Sequence, residues 1–365
     1  MEYFAFWCYI LIKEHVVCPV WTGGGGVRSI MSLLKVDSLS VGFRNGSQLL
    51  PVIDGVSFEV EQGEILALVG ESGCGKSASC LALTRLNSGS AVISARSCTF
   101  VTREGKSVEL LSLSPRELRR IRGSQIAYIF QEPLSSLNPV FRIGDQIAEV
   151  LELHRPEITD KAAEVIRLLA AVGIPAPETR MMNFPHELSG GMQQRVMIAM
   201  ALAGNPSLLI ADEPTTALDV TIQAQIMELL EELRRKNGTS IILITHNLGV
   251  VAQLADRVAV MYAGRMVECA PVPELIAHPR HPYTRALLAA VPVLGGRTGK
   301  LVTIPGQVPS PADFPAGCRF CGRCQELSPD MARRCREQVP PAVEISPGHW
   351  CCCWKHYDGK DGSGQ

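Results

Sequence analysis

Gly70-Glu71-Ser72-Gly73-Cys74-Gly75-Lys76-Ser77 follows the apolar run Ile65-Leu66-Ala67-Leu68-Val69 and leads into a helix-suited stretch from Ser77 to Leu86. The apolar run reads as a buried strand. Strand, glycine-rich loop and helix together are the setting that a phosphate loop needs. The glycines let the backbone curl so that its N–H groups converge on phosphate oxygens. The helix N-terminus behind them adds partial positive charge. Lys76 can then reach the β- and γ-phosphates, and Ser77 can offer its hydroxyl to Mg²⁺.

Other buried-strand patterns also end in polar residues. Leu208-Leu209-Ile210-Ala211 leads into Asp212-Glu213-Pro214. Asp212 is placed to hold Mg²⁺, and Glu213 to polarise a water for attack on the γ-phosphate. Ile126-Ala127-Tyr128-Ile129-Phe130 stops at Gln131, and Ile241-Ile242-Leu243-Ile244-Thr245 stops at His246. The end of a buried strand is where an α/β protein places a site residue. Taken singly, Gln131 also reads as a turn residue and His246 as a structural histidine.

The remaining segments frame these strands. Leu33 to Val60 reads as short alternating strands with a turn at Asn45-Gly46. Phe43, just before that turn, is either a core aromatic or a flat face for a nucleobase. Ser114-Pro115 starts a basic helix through Arg122, and residues 141–182 carry helical periodicity broken at Pro175 and Pro177. Leu188-Ser189-Gly190-Gly191-Met192-Gln193 runs into a helix spanning Val196 to Ala203. Ser189 is an N-cap, or with Gly190 and Gly191 part of a second anion site. A helix follows Asp219 and ends at Gly238, and Val258 to Val267 is β-rich.

Bulk properties narrow the class. The chain has 365 residues, enough for about two domains, with formal net charge −1, 19% charged and 46% hydrophobic residues. That balance is globular and lacks the electrostatic footprint of a nucleic-acid binder. No apolar run reaches the roughly 20 residues a bilayer span needs, so a soluble cytoplasmic protein is expected. Residues 1–30 differ from the rest and contain Gly23-Gly24-Gly25-Gly26. They read as a mis-assigned start ahead of Met31, or as a membrane-surface anchor, although they lack the charged face an anchor uses. Of 13 cysteines, seven lie after Gly317. Clustered cysteines in a cytosolic chain point to metal before disulfides.

The motifs in this order resemble an ATP-binding cassette (ABC) ATPase. The resemblance covers about residues 33–355 and implies an α/β P-loop NTPase fold. It would have a mixed sheet core, an antiparallel β subdomain and a helical subdomain at about 132–200. The domains expected are 31–270 for the cassette and 271–365 for an extension. By resemblance, Gly70 to Ser77 bind ATP, and Asp212, Ser77 and Gln131 serve Mg²⁺. Glu213 is the general base, His246 the switch histidine, Asp219 a dimer contact and Phe43 the adenine-stacking aromatic. The Ser189-Gly190-Gly191 signature would complete the ATP site of a second cassette.

Gln131 to Pro139, Phe184 to Leu188 and His278 to Thr284 resemble the oligopeptide/dipeptide importer subgroup. That implies an ATPase energising peptide import at the cytoplasmic face of the cell membrane. Its partners would be a related ATPase subunit, two membrane permeases and, indirectly, a substrate-binding protein, with no nucleic acid. Nickel or another solute, or a soluble non-transport ABC ATPase, are the alternatives. A third view makes the tail a redox or iron sensor. By the same resemblance Cys318, Cys324, Cys335 and Cys353 would ligate a [4Fe–4S] cluster or Zn²⁺. Cys321, Cys351 and Cys352 are extra, and Cys321 or Cys352 could substitute. Reduced cysteines without metal are the plain alternative.

Overall fold

The protein is described here by a computed structural model covering residues 32–46, 48–216, 219–291 and 303–357. Residues 1–30 and Met31 lie outside the described residues, as do Ala217 and Leu218.

Two long strands, β1 (Ser32–Asn45) and β2 (Gln48–Glu61), pair antiparallel, with Asn45 opposite Gln48. The alternation reads as short pieces because the ladder shifts register between Val36 and Leu39 and again between Leu39 and Val41. Each shift resets the pleat, so Leu34, Val36, Leu39 and Val41 all stay buried. Strands β4 (Ala91–Ser94) and β5 (Ser97–Val101) pair with β1, and β6 (Ser107–Glu109) with β5.

The second sheet is built on β3 (Ile65–Val69), β7 (Ile126–Ile129), β8 (Leu208–Asp212), β9 (Ser240–Ile244) and β10 (Arg257–Tyr262). These five run parallel in the order β10-β3-β9-β8-β7. Alternate residues face opposite layers. Leu209, Ala211, Ile241 and Leu243 pack on the helices, while Leu208, Ile210, Ile242 and Ile244 share a core with the antiparallel sheet. Burial on both faces explains the unbroken apolar runs.

Between β7 and β8 the chain inserts the helices Ile143–His154, Lys161–Ala171 and Gly190–Ala203, joined through Ile147, Leu151, Val165, Leu169 and Val196. Helix boundaries differ from the sequence pattern in two places. The helix after the phosphate loop covers Lys76–Leu83 and stops before Leu86, because Arg85 turns to φ 52 and the Leu86 N–H bonds back to the Leu81 carbonyl. The helix expected from Val196 begins at Gly190, directly behind its Ser189 cap.

β11 (Arg265–Pro271) turns back on β10, and the C-terminal strands β12 (Val343–Ser346) and β13 (His349–Cys351) extend the same sheet through β13 on β11. Among the described residues no helix is long and apolar enough to cross a membrane.

The β10–β11 turn links both sheets to the phosphate loop. Gly264 N–H donates to the Cys74 carbonyl (2.8 Å), and Asp54 N–H donates to the Gly264 carbonyl (3.0 Å). At φ +79, a Cβ on Gly264 would stand 1.8 Å from the Val52 carbonyl oxygen. Gly264→Ala is therefore expected to cost on the order of 3 kcal/mol. Chemical denaturation measures it, and an unchanged midpoint would show that the turn yields freely.

Candidate functional site

The phosphate loop leaves the carboxyl end of β3 and enters its helix through Gly75 at φ 102. A Cβ there would meet Ile53 at 2.1 Å, so the site admits only glycine. Lys76 is buried and curls over the loop, its ammonium donating to the carbonyls of Gly70 (2.8 Å) and Glu71 (3.1 Å). Cys74 is buried beneath it, and burial pushes its thiol up, against the pull of the Lys76 charge. Ser72 and Gly73 are exposed at the crest. Glu71 is engaged on its far side: its N–H donates to the Tyr283 hydroxyl (2.9 Å) and its carboxylate accepts from Arg323 (3.0 and 3.1 Å).

Asp212 ends β8 with its carboxylate hydrogen-bonded by Ser77. Burial raises its pKa, Ser77 opposes that, and the neighbouring Glu213 adds to the rise. A hydroxyl and a carboxylate side by side are the hard oxygen donors that suit Mg²⁺ beside a phosphate. When bound, that ion would neutralise charge developing on the phosphates.

Glu213 gathers three other groups. Gln131, just beyond β7, donates its amide to one carboxylate oxygen (3.3 Å), and Thr216 donates to the same oxygen (2.8 Å). His246 Nδ1 lies 3.1 Å from the other. The Glu213 backbone sits at φ 45, strained for a side-chain-bearing residue, and its N–H donates to the Ile244 carbonyl (2.9 Å). Burial works to raise its pKa, but the hydrogen bonds from Thr216 and His246 and the nearby positive charge outweigh it and hold the carboxyl below its usual range. An ionised carboxylate with fixed lone pairs can orient a water and accept its proton.

A second group stands on other helix ends. Ser189 caps the helix Gly190–Ala203, its hydroxyl accepting from Met192 N–H (3.4 Å). Asp219 caps the helix Val220–Asn237 through Ile222 N–H (2.9 Å). The two helices meet where Gly191 faces Ile222, a Cβ there being 3.3 Å from it. Gly190 faces open space. Among the described residues no hydrogen bond joins Ser189 to the phosphate loop. Phe43 is half-buried in β1 between Leu50 and Ala91, packed on the core beside the antiparallel sheet.

The structure thus brings Lys76, Ser77, Asp212, Glu213, Gln131 and His246 to the carboxyl ends of adjacent strands, while Ser189, Gly190, Gly191 and Asp219 stand at the starts of two other helices. Thr216 and Arg323 escaped the sequence reading, and Tyr283 entered it only within the motif from His278 to Thr284, with no place at the site. Thr216 follows Glu213 by three residues, a spacing with no signal of its own, and the other two lie far along the chain.

In the tail, Cys318, Cys321, Cys324, Cys335 and Cys353 line one small pocket with Phe320, Leu327 and Trp354. Burial pushes all five thiols up, Cys318 to about 12. Cys352 lines a different cavity with Arg265 and Met266, and Cys351 is buried in β13. Among the described residues no three His, Cys, Asp or Glu side chains are placed to hold one metal ion. The expected four-thiolate Zn²⁺ geometry is therefore not formed.

Residues 53–216 match the family model of the ABC transporter, and residues 267–330 that of the oligopeptide/dipeptide transporter C-terminal region. The chain belongs to the ABC transporter ATP-binding proteins. It is 49% identical over 330 residues to a probable peptide ABC transporter ATP-binding protein of Sinorhizobium fredii, covering 88% of this chain and 95% of the relative. It is 46% identical to the oligopeptide transport ATP-binding protein AppD of Bacillus subtilis, covering 88% of this chain and 96% of that one. A dimeric ATP-binding cassette in a post-hydrolysis state with ADP and phosphate matches with TM-score 0.57 at 25% identity, over 66% of this chain and 98% of that one. The resemblance read from the motifs is thereby established, and the protein is an ABC ATPase that uses ATP with Mg²⁺.

Glu213→Gln is expected to lower kcat by about a hundredfold or more while ATP still binds; single-turnover hydrolysis measures it, and wild-type turnover would remove Glu213 as base. The two carboxyls shift in opposite directions, Asp212 up and Glu213 down. As the pH falls from 7, Asp212 loses its charge earlier than an ordinary aspartate would, and Glu213 keeps its charge longer than an ordinary glutamate would. The Mg²⁺ concentration for half-maximal activity should therefore rise as the pH is lowered, which a Mg²⁺ titration at several pH values reads.

Proposed function

We propose that this ATPase energises an importer of di- or oligopeptides, as one half of an ATP-sandwiched dimer docked on two membrane permeases. The half-built site carries this reading. The phosphate loop, Asp212 and Glu213 stand together. The Ser189 helix N-terminus, with Gly190 facing open space, has no partner among them. Backbone amides at a helix start bind anions, so a γ-phosphate presented by a second cassette is what this end would receive. Each copy, or each of two related copies, then lends half a pocket to the other. ATP holds the pair closed and hydrolysis releases it.

The peptide substrate class is supported by the named relatives and by the C-terminal region they share. That region does not favour nickel or a soluble repair or translation ATPase. A permease contact is supported by Val140 and Phe141, both exposed, beside exposed Met182 at the rim of the helical insertion. Through such a contact the protein sits peripherally on the cytoplasmic face of the membrane, and a substrate-binding protein that delivers peptide to the permeases is its partner only indirectly. The cassette is assigned to 31–270 and the extension to 271–365.

A second reading concerns the tail: the pocket holds a [4Fe–4S] cluster. Five thiols converge on it. A four-iron cube holds its thiolates further apart than a single zinc does, so it tolerates a placement that suits no single ion. Cys318, Cys324, Cys335 and Cys353 remain the assigned ligands, with Cys321 the alternative on the same wall. Iron and acid-labile sulfide in anaerobically purified protein test this, and neither in stoichiometric amount would end it.

Gly190→Leu is a clean test of the shared site, because among the described residues its Cβ meets nothing within 4 Å. ATP binding to the isolated subunit should be unchanged. Hydrolysis and peptide uptake by the complex reconstituted in liposomes should fall about tenfold or more. Full uptake would overturn the sandwich.

A further inference from the structure

Glu71 belongs to the phosphate loop, yet it is held by two residues more than 200 positions away in sequence. Its N–H donates to the Tyr283 hydroxyl at 2.9 Å. Its carboxylate receives Arg323 Nη1 at 3.0 and 3.1 Å. Its carbonyl accepts from Lys76 at 3.1 Å. Every polar group of this one residue is therefore engaged.

Both distant residues are themselves fixed. Tyr283 is fully buried, and its ring packs on Tyr262 (4.7 Å between centroids) and Phe320 (5.4 Å). Its own N–H donates to His281 Nδ1 at 3.0 Å. Arg323 spends Nε on the Pro305 carbonyl (2.8 Å) and Nη2 on the Ile304 carbonyl (3.3 Å). Its Nη1 also donates to the Tyr262 hydroxyl (3.2 Å). The Arg323 side chain is only 9% exposed, so its pairing with Glu71 is shielded from solvent. A planar guanidinium used at all three nitrogens has one orientation open to it.

We propose that Tyr283 and Arg323, in the C-terminal extension, are positioning residues of the nucleotide site, holding Glu71 so that the phosphate loop is shaped before ATP arrives. Neither touches the reacting atoms. The Glu71 N–H is the loop donor turned away from the phosphates, and Tyr283 satisfies it from behind. With the loop already ordered, less conformational entropy is lost on binding. Arg323 lies in the chain between Cys321 and Cys324, two residues that line the thiol pocket, so one short segment carries both those thiols and a contact to the phosphate loop.

The signs of two variants separate this from simple electrostatics. If only charge near the phosphates mattered, Arg323→Gln would weaken ATP binding and Glu71→Gln, removing a negative charge, would strengthen it. Positioning requires both to weaken it, because either one frees the loop. Tyr283→Phe keeps the ring packing and removes only the hydroxyl, so it should weaken binding too.

The test uses the full-length protein, with calorimetric titration of a non-hydrolysable ATP analogue and steady-state hydrolysis. Each of the three variants should raise Kd and KM for nucleotide about three- to tenfold, the range of one hydrogen bond or shielded ion pair. For Tyr283→Phe and Arg323→Gln, kcat at saturating ATP should stay within about twofold, since Gln131, Glu213 and His246 are untouched. The double variant Glu71→Gln/Arg323→Gln should be no worse than the weaker single one. Wild-type affinity in Arg323→Gln and Tyr283→Phe, tighter binding in Glu71→Gln, multiplied losses in the double variant, or a fall in kcat at constant KM would each overturn the proposal. Should Arg323→Gln fail to fold, Glu71→Gln alone decides, since it alters only the loop side of the pair. The readout needs neither permeases nor iron, so its failure leaves the import and cluster readings where they stand.

Discussion

Leu68, Ile244 and Asp212 stand in one row across three parallel strands, and that register fixes where the polar groups of the site can be. The row before it is Ala67, Leu243, Ala211 and Ile129. One step beyond the Asp212 row, β8 and β9 leave the sheet at Glu213 and Thr245, and β3 ends one residue later at Val69, ahead of the phosphate loop. A slip of one residue in β8 would turn Asp212 toward the opposite layer and bury Glu213 in its place. Such a slip is opposed by the packing on both faces, since Leu208 to Ala211 would all exchange layers. The same packing that stabilises the sheet thus sets the spacing of the chemistry.

The adjacent carboxyls of Asp212 and Glu213 show how environment divides two like groups. Asp212 faces inward, where burial works against its charge and a single hydroxyl partly compensates. Glu213 leaves the sheet at a strained φ and finds Thr216, Gln131 and His246 around it. Pairs whose surroundings drive them apart in this way are suited to different tasks, one to a cation that would stabilise its charge, the other to a water. The positive φ at Glu213 is the backbone cost of turning the second carboxylate away from the first.

What the sequence disclosed and what it hid follow from range. Asp212, Glu213 and His246 were legible because each stands at the end of an uninterrupted apolar run, which itself reports a strand buried on both faces, and Lys76 and Ser77 because a glycine-rich loop joins such a run to a helix. The β1–β2 hairpin was legible only in fragments, since its bulges break the alternation that marks a strand. Thr216 gave no sign, because hydroxyls after a strand are common and only the fold aims this one at Glu213. Tyr283 and Arg323 could not be read as site residues at all. Their partner is Glu71, and nothing local to either residue encodes a contact more than 200 positions distant.

The extension beyond β11 is built into the cassette. β13 pairs with β11 through Glu268 and Cys351, which continues the central sheet where β11 would otherwise be an open edge. Glu268, buried in β11, accepts from the N–H groups of Arg280 (2.7 Å) and His281 (2.9 Å) and from His349 Nε2 (2.8 Å). A buried carboxylate is tolerated only when its oxygens are satisfied in this manner. His281, thereby fixed, is held by burial far below its usual pKa, at about 3. It stays a neutral imidazole whose Nδ1 can accept from Tyr283 N–H, which an imidazolium could not do. The line of contacts runs from the sheet edge through Glu268, His281 and Tyr283 to Glu71. Removing the extension would expose that edge, strand the Glu268 charge and free the back of the phosphate loop. In this protein the back of the phosphate loop is therefore held by residues that come after His246, the last of the residues gathered at the strand ends.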